Sequence, residues 1–319
     1  MSRLAQSIRW VGMPAYLALM SYNSPLTALA LPLIAAPTVG LSYWHHHQQP
    51  KERKADFDTL TYIYALSATI GPILAMSAQV LLAFGAARLL FGAAGWRPYI
   101  RAFMQTDVQA ATPEIAIAHR AITRQWQHWL FLAVVPTFLA GGIEEILKYS
   151  AIAVLRRQHA KKGGRLDCRK PPSKYLYLQY AVTTSLAYCT FESLGFIRAM
   201  DKSGASRGKT ALMVVERIAL GGLGHCLTSC LLAANAAALG QYRETIGNWW
   251  RIIRDPIIYH GTFNLMLFAL SSYNGNVGWV HPDDPWQVAG GLVVIESIQL
   301  GLYVQFRRTW QALKDETSS

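Results

Sequence analysis

Six ionisable side chains and one amide stand in segments otherwise apolar enough for lipid. Glu144, Glu145 and Lys148 lie in GGIEEILKYS, Glu192 in YCTFESLGF, His225 in GGLGHCLTS, and His260 and Asn264 in YHGTFNL. A charged group near the bilayer centre costs at least about 2.5–3.5 kcal/mol, so such residues pair, face a bundle interior or do chemistry. Helical spacing sorts them. Lys148 follows Glu144 by four positions and Glu145 by three, within pairing reach of either acid. His260 and Asn264, four apart, share one helix face. A carboxylate can take a proton from water, while His and Asn can donate to an oxyanion, so the set has the makings of a hydrolytic centre. The residues equally offer Glu192, His225 and His260 as a one-carboxylate, two-histidine ligand set, which leaves a zinc position open for water. Gly141, Gly142, Gly221, Gly222, Gly224 and Gly261 flank these positions and let helices approach closely.

Other polar residues have plainer readings. Glu216, Arg217 and Glu296 are expected to be buried pairing groups, and Arg88, near a span end, to snorkel. His45, His46 and His47 end a helix before a basic loop and read as solvated surface. Asp283 and Asp284 lie between Pro282 and Pro285 in a turn-rich loop. The four cysteines show neither a disulfide framework nor a CxxC pattern, and Cys226 and Cys230 read as small packing residues on one face.

The elements that must position these groups are membrane helices. Of 319 residues, 52% are hydrophobic and 15% charged, against about 25% charged in soluble domains. The pattern predicts an all-α polytopic bundle forming one membrane domain over residues 1–319. Seven spans are expected at 25–44, 59–91, 127–155, 175–197, 211–239, 255–273 and 286–305, with 8–22 a short candidate eighth. Residues 92–126 read as an interfacial amphipathic segment. Residues 130–270 form the core that carries the chemistry. The N-terminus lacks the run and cleavage site of a signal peptide. The net charge of +12 comes mostly from residues between spans, which points to the membrane surface and away from nucleic acid. Loop 156–174 holds eight Lys or Arg and one acid, Asp167. Its side of the membrane totals 17 Lys or Arg against 10 opposite, so this loop and the C-terminus are expected in the cytosol.

The order of the motifs resembles the PrsW family of intramembrane proteases, related to the group that includes the CAAX prenyl endopeptidases. Glu144-Glu145-x-x-Lys148 matches the EExxK motif. Tyr188-x-x-x-Glu192 matches an aromatic-x-x-x-E motif with Tyr in place of the usual Phe. His225 follows Arg217 and a Gly-rich stretch, and His260-x-x-x-Asn264 completes the set. The resemblance implies that Glu144 or Glu145 activates water and that Lys148 holds the acid pair. It gives His260 and Asn264 the oxyanion, and Glu192 and His225 the completion of the water site or the ligation of a divalent metal such as zinc. The implied substrate is a membrane-anchored peptide. The same groups in a lipid-accessible cavity would also serve to cyclise, rearrange or hydrolyse a lipophilic small molecule such as an isoprenoid. A proton-coupled carrier or scaffold is the non-enzymatic alternative. Membrane lipid is the expected surrounding partner in each case.

Overall fold

The computed structural model describes residues 2–22, 24–104, 113–162, 173–202, 207–241, 249–282 and 284–313. Among them the secondary structure is entirely helical, as lipid requires of a chain that cannot hydrogen-bond to water. The α-helices are α1 Arg3–Ser7, α2 Met13–Ser21, α3 Pro25–His47, α4 Phe57–Ala68, α5 Ile70–Phe103, α6 Pro113–Thr123, α7 Trp126–Leu132, α8 Gly141–Lys162, α9 Lys174–Lys202, α10 Arg207–Glu216, α11 Gly222–Gln241, α12 Trp249–Tyr273 and α13 Pro285–Ala312. Among the described residues, widened π-helical turns join consecutive helices at Ile8–Gly12, Ala133–Ala140 and Arg217–Gly221.

Among the described residues five stretches are long and apolar enough to cross a membrane: Pro25–His47, Phe57–Phe103, Trp126–Val154, Thr210–Leu239 and Pro285–Ala312. That is fewer than the seven expected. Segments 175–197 and 255–273 fall on α9 and α12, which have the length but carry the polar residues of the motifs. The expected interfacial segment 92–126 is divided. Helix α5 continues past a turn at Gly92 (φ 69°) to Phe103, and α6 covers Pro113–Thr123. Residues 105–112, residues 163–172 of the basic loop with Asp167 and Cys168, and Asp283 lie outside the described residues.

The chain divides into two compact units. The first comprises Met1–Ile73, Ile146–Pro256 and Gly301–Ser319; the second comprises Leu74–Glu145 and Ile257–Leu300. In the first unit α9 packs against α3, α4 and α11 and is buried without interruption from Tyr180 to Thr190. Its hydroxyls are satisfied internally: Thr184 Oγ1 donates to Tyr180 O (2.9 Å), and Thr190 Oγ1 to Leu186 O (2.9 Å) while also meeting Thr38 Oγ1 (2.8 Å). Gln179 bridges to the chain before α4, donating to Arg53 O (2.8 Å) and accepting from Ala55 N (3.1 Å). His46 joins the same junction. It is buried, with Nε2 3.0 Å from Ala55 O, and so departs from the solvated reading of the histidine run. Ser24 and Asp56 cap α3 and α4.

In the second unit Tyr99, Phe131, Leu132, Val135 and Val277 form a buried cluster. Tyr99 stacks on Phe91, with ring centroids 3.9 Å apart, and Phe103 on Phe268 at 5.4 Å. A fully buried histidine, His128, is satisfied on both ring nitrogens, by Tyr99 Oη (3.1 Å) and Ser272 Oγ (2.8 Å).

Candidate active site

The second unit brings together the acid pair of α8 and the histidine of α12. The approach depends on glycine. A Cβ on Gly261 would meet Thr137 O at 2.5 Å, and one on Gly141 would meet Gly261 N at 3.2 Å. Backbone therefore passes close to backbone where α12 crosses the chain leading into α8, and His260, next to the crossing, is held against the start of α8. His260 Nδ1 lies 2.9 Å from Glu145 Oε1, and His260 Nε2 lies 3.7 Å from Glu144 Oε2. Glu145 and His260 are buried, and Glu144 is half-buried. With Nδ1–H donating to the Glu145 carboxylate, the Nε2 lone pair faces Glu144. A carboxylate orienting an imidazole through its far nitrogen is the arrangement that supports metal-binding histidines.

The widened turn before α8 has a local cause. Pro136 has no N–H to give Leu132 O, and Thr137 Oγ1 takes over that carbonyl at 2.9 Å. The carbonyl of Pro136 accepts in turn from Asn264 Nδ2 (3.0 Å), which ties α12 to the widened turn. This commits one of Asn264's two amide hydrogens. Gln79 Nε2 donates to Glu144 Oε1 at 3.3 Å. Gln79 lies outside the sequence motifs, and an amide in an apolar span is the signal that marks it.

The first unit assembles a different trio. Lys148 Nζ meets His225 Nδ1 at 3.0 Å, and His225 Nε2 meets Glu192 Oε2 at 2.6 Å. An ammonium only donates, so Nδ1 accepts and Nε2–H donates to the carboxylate. Lys148 is fully buried, over the ring of Tyr188 at 6.0 Å from its centroid. The aromatic-x-x-x-E motif thus puts Tyr188 and Glu192 one turn apart around the same trio. Arg217 Nη2 binds Glu192 Oε2 at 2.7 Å, and the guanidinium stacks on Phe196 (4.7 Å). The pairing expected of Arg217 is therefore with a motif acid. Ser185 Oγ donates to His225 O and fixes the helix that carries the histidine. The widened turn Arg217–Gly221 begins at Arg217 and ends one turn before His225 on α11.

Of the remaining polar residues, Glu296 is exposed on α13, contrary to the buried pairing expected of it. Arg88 is exposed at α5, as a snorkelling residue would be. Asp284 accepts from Trp286 N at 3.0 Å and caps α13.

The donor chemistry in the second unit suits a divalent metal. Tetrahedral zinc holds N and O ligands at about 2.0–2.2 Å, which separates two ligand atoms by about 3.4 Å. The 3.7 Å between His260 Nε2 and Glu144 Oε2 is one ion wide, too long for a direct hydrogen bond. In the first unit His225 and Glu192 are closed on each other at 2.6 Å, so ligation there requires the imidazole to give up its Nε2 proton.

The family model described as PrsW family intramembrane metalloprotease matches residues 94–282. No curated protein and no solved structure matches the chain. The matched range contains all four motifs.

Proposed function

The chain belongs to the PrsW family of intramembrane metalloproteases, and from that premise we propose that it hydrolyses a membrane-anchored peptide with a water activated at Glu144. The Glu145–His260–Glu144 arrangement carries this reading. Glu145 holds the imidazole through Nδ1. Glu144 takes the proton as the water oxygen attacks the scissile carbonyl carbon. The second amide hydrogen of Asn264 donates to the oxyanion. The C–N bond then breaks, and the proton passes to the leaving amine, giving one carboxylate and one amine terminus. Lys148, in the first unit, donates to His225 Nδ1 and fixes the orientation of that imidazole. A divalent metal such as zinc would draw on His260 in the second unit, or on His225 and Glu192 in the first, and would supply Lewis-acid polarisation of the water and the carbonyl. Arg217 orients the Glu192 carboxylate through a charge-assisted hydrogen bond.

The test uses the purified full chain in lipid vesicles with tagged single-span peptides and mass spectrometry of the products. Glu144→Gln and Glu145→Gln keep shape and remove the acids, and each should cut turnover by about 10²–10⁴-fold while the protein still accumulates. Full turnover by both variants would sink the reading. Inert peptides together with a transformed component of a lipid extract would move the chemistry to a lipophilic small molecule.

A further inference from the structure

A second polar site lies in the second unit, away from the acid pair. Helix α6 ends at Thr123, and α12 ends at Tyr273 in a tight turn closed by Gly275 N donating to Ser272 O (2.9 Å) and Asn276 N to Ser271 O (3.1 Å). Between these ends is a cavity of about 450 Å³ lined by Arg120, Thr123, Arg124, Ser272, Asn274 and Gly275, with Tyr273 beside them. Gly275 has φ +82°, and a Cβ there would meet Arg120 Cγ at 2.7 Å, so the glycine lets the arginine stem lie across the turn.

The walls are built, and the two cations are not neutralised. Ser272 is held by buried His128, which is held by buried Tyr99. Asn274 and Gln287 exchange amide hydrogen bonds at 2.7 and 3.0 Å. Trp129 Nε1 donates to Thr123 O at 2.9 Å. Among the described residues neither Arg120 nor Arg124 has a hydrogen-bond or ion-pair partner on its guanidinium. The two are four positions apart, a spacing at which like charges repel. The C-terminal end of α6 eases that repulsion, but it explains neither the cavity nor its hydroxyl and amide walls. An oxyanion between the two guanidinium groups does, because Arg offers a planar fork matched to phosphate.

Aromatic residues show where such an oxyanion comes from. Trp126, Tyr273 and Trp286 are 65%, 82% and 85% exposed, and Trp129 is also exposed. Trp126 and Trp129 stand two and five positions after Arg124, Tyr273 stands in the pocket wall, and Trp286 lies in the first turn of α13. Exposed Trp and Tyr at helix ends mark the headgroup level of a bilayer. We propose that this pocket binds the phosphate of a membrane phospholipid headgroup, clamped by Arg120 and Arg124.

The experiment is native mass spectrometry of the full chain released from detergent, after titration with phosphatidylglycerol. The wild type should retain one phospholipid. The double variant Arg120→Gln/Arg124→Gln should bind it at least about tenfold more weakly, since a hydrogen bond to a charged group is worth about 1.5–3 kcal/mol. The pair Arg120→Lys/Arg124→Lys should fall between, keeping charge and losing the fork. Both pairs change exposed side chains, and an unchanged thermal midpoint shows that the fold is intact. Equal lipid retention by the Gln pair would overturn the site. Displacement of the lipid by millimolar inorganic phosphate would overturn the lipid assignment in favour of a soluble phosphate.

Discussion

Glu145 and His260 are 115 positions apart in the chain and 2.9 Å apart in the structure. The chemistry of each was legible from its type and its apolar surroundings, because a polar group in lipid needs a reason to be there. Their division of labour was not legible. EExxK presents two adjacent acids, and helix geometry turns adjacent residues about 100° apart. One acid therefore orients the histidine through Nδ1, and the other faces Nε2 across a gap of ionic width. A metal prediction follows. Exhaustive chelation should abolish peptide cleavage, and added zinc should restore it. Elemental analysis should show His260→Ala losing bound metal. Glu145→Gln, which loosens the imidazole without removing it, should weaken metal affinity by about 10–100-fold. His46→Ala changes a histidine in the other unit and should leave metal content unaltered. Cleavage that survives exhaustive chelation would leave glutamate-activated water without metal as the better account.

Elements hold those residues in place through features that a hydropathy pattern only hints at. The widened turns at Ala133–Ala140 and Arg217–Gly221 each precede a motif helix, and only Pro136 announces the first. Widened turns of this kind recur at functional sites. The glycines were legible as small residues, but their unequal importance was not. A Cβ on Gly261 would meet backbone oxygen at 2.5 Å, whereas one on Gly142 would meet only the tip of Ile257 at 3.9 Å. Backbone cannot swing aside as a side-chain tip can. Gly261→Ala should therefore lower the thermal midpoint, at a cost of about 1–3 kcal/mol from overpacking, and displace His260 with loss of activity. Gly142→Ala should hold or raise the midpoint, since Ala is better than Gly in a helix by about 1 kcal/mol. A scanning-fluorimetry comparison in one detergent checks both, and equal shifts in the same direction would refute the crossing as the point of contact.

At the scale of the whole molecule the question is how many helices cross. Among the described residues five are apolar enough by composition, and α9 and α12 are not among them. Yet α9 has 29 residues and α12 has 25, lengths of about 43 and 37 Å against a hydrocarbon core of about 30 Å. Their polarity has a specific source. Helix α9 carries Glu192 and a row of hydroxyls buried among α3, α4 and α11, and α12 carries His260 and Asn264. A helix surrounded by protein need not be apolar to cross, so a hydropathy threshold does not decide whether α9 and α12 span the bilayer. Both counts are odd and put loop 156–174 on one and the same side, so that loop cannot decide between them. The segment between α11 and α12 can. With seven spans it lies on the same side as loop 156–174; with five it lies opposite. A membrane-impermeant thiol reagent on sealed vesicles, with single cysteines at native Cys168 and at Glu244→Cys in an otherwise cysteine-free chain, reads the difference. Seven spans predict that both label from the cytosolic face, where the excess of Lys and Arg places loop 156–174. Labelling of the two from opposite faces would establish five spans and leave α9 and α12 folded into the bundle without crossing. Labelling of Cys168 from the outer face alone would reverse the charge-based orientation.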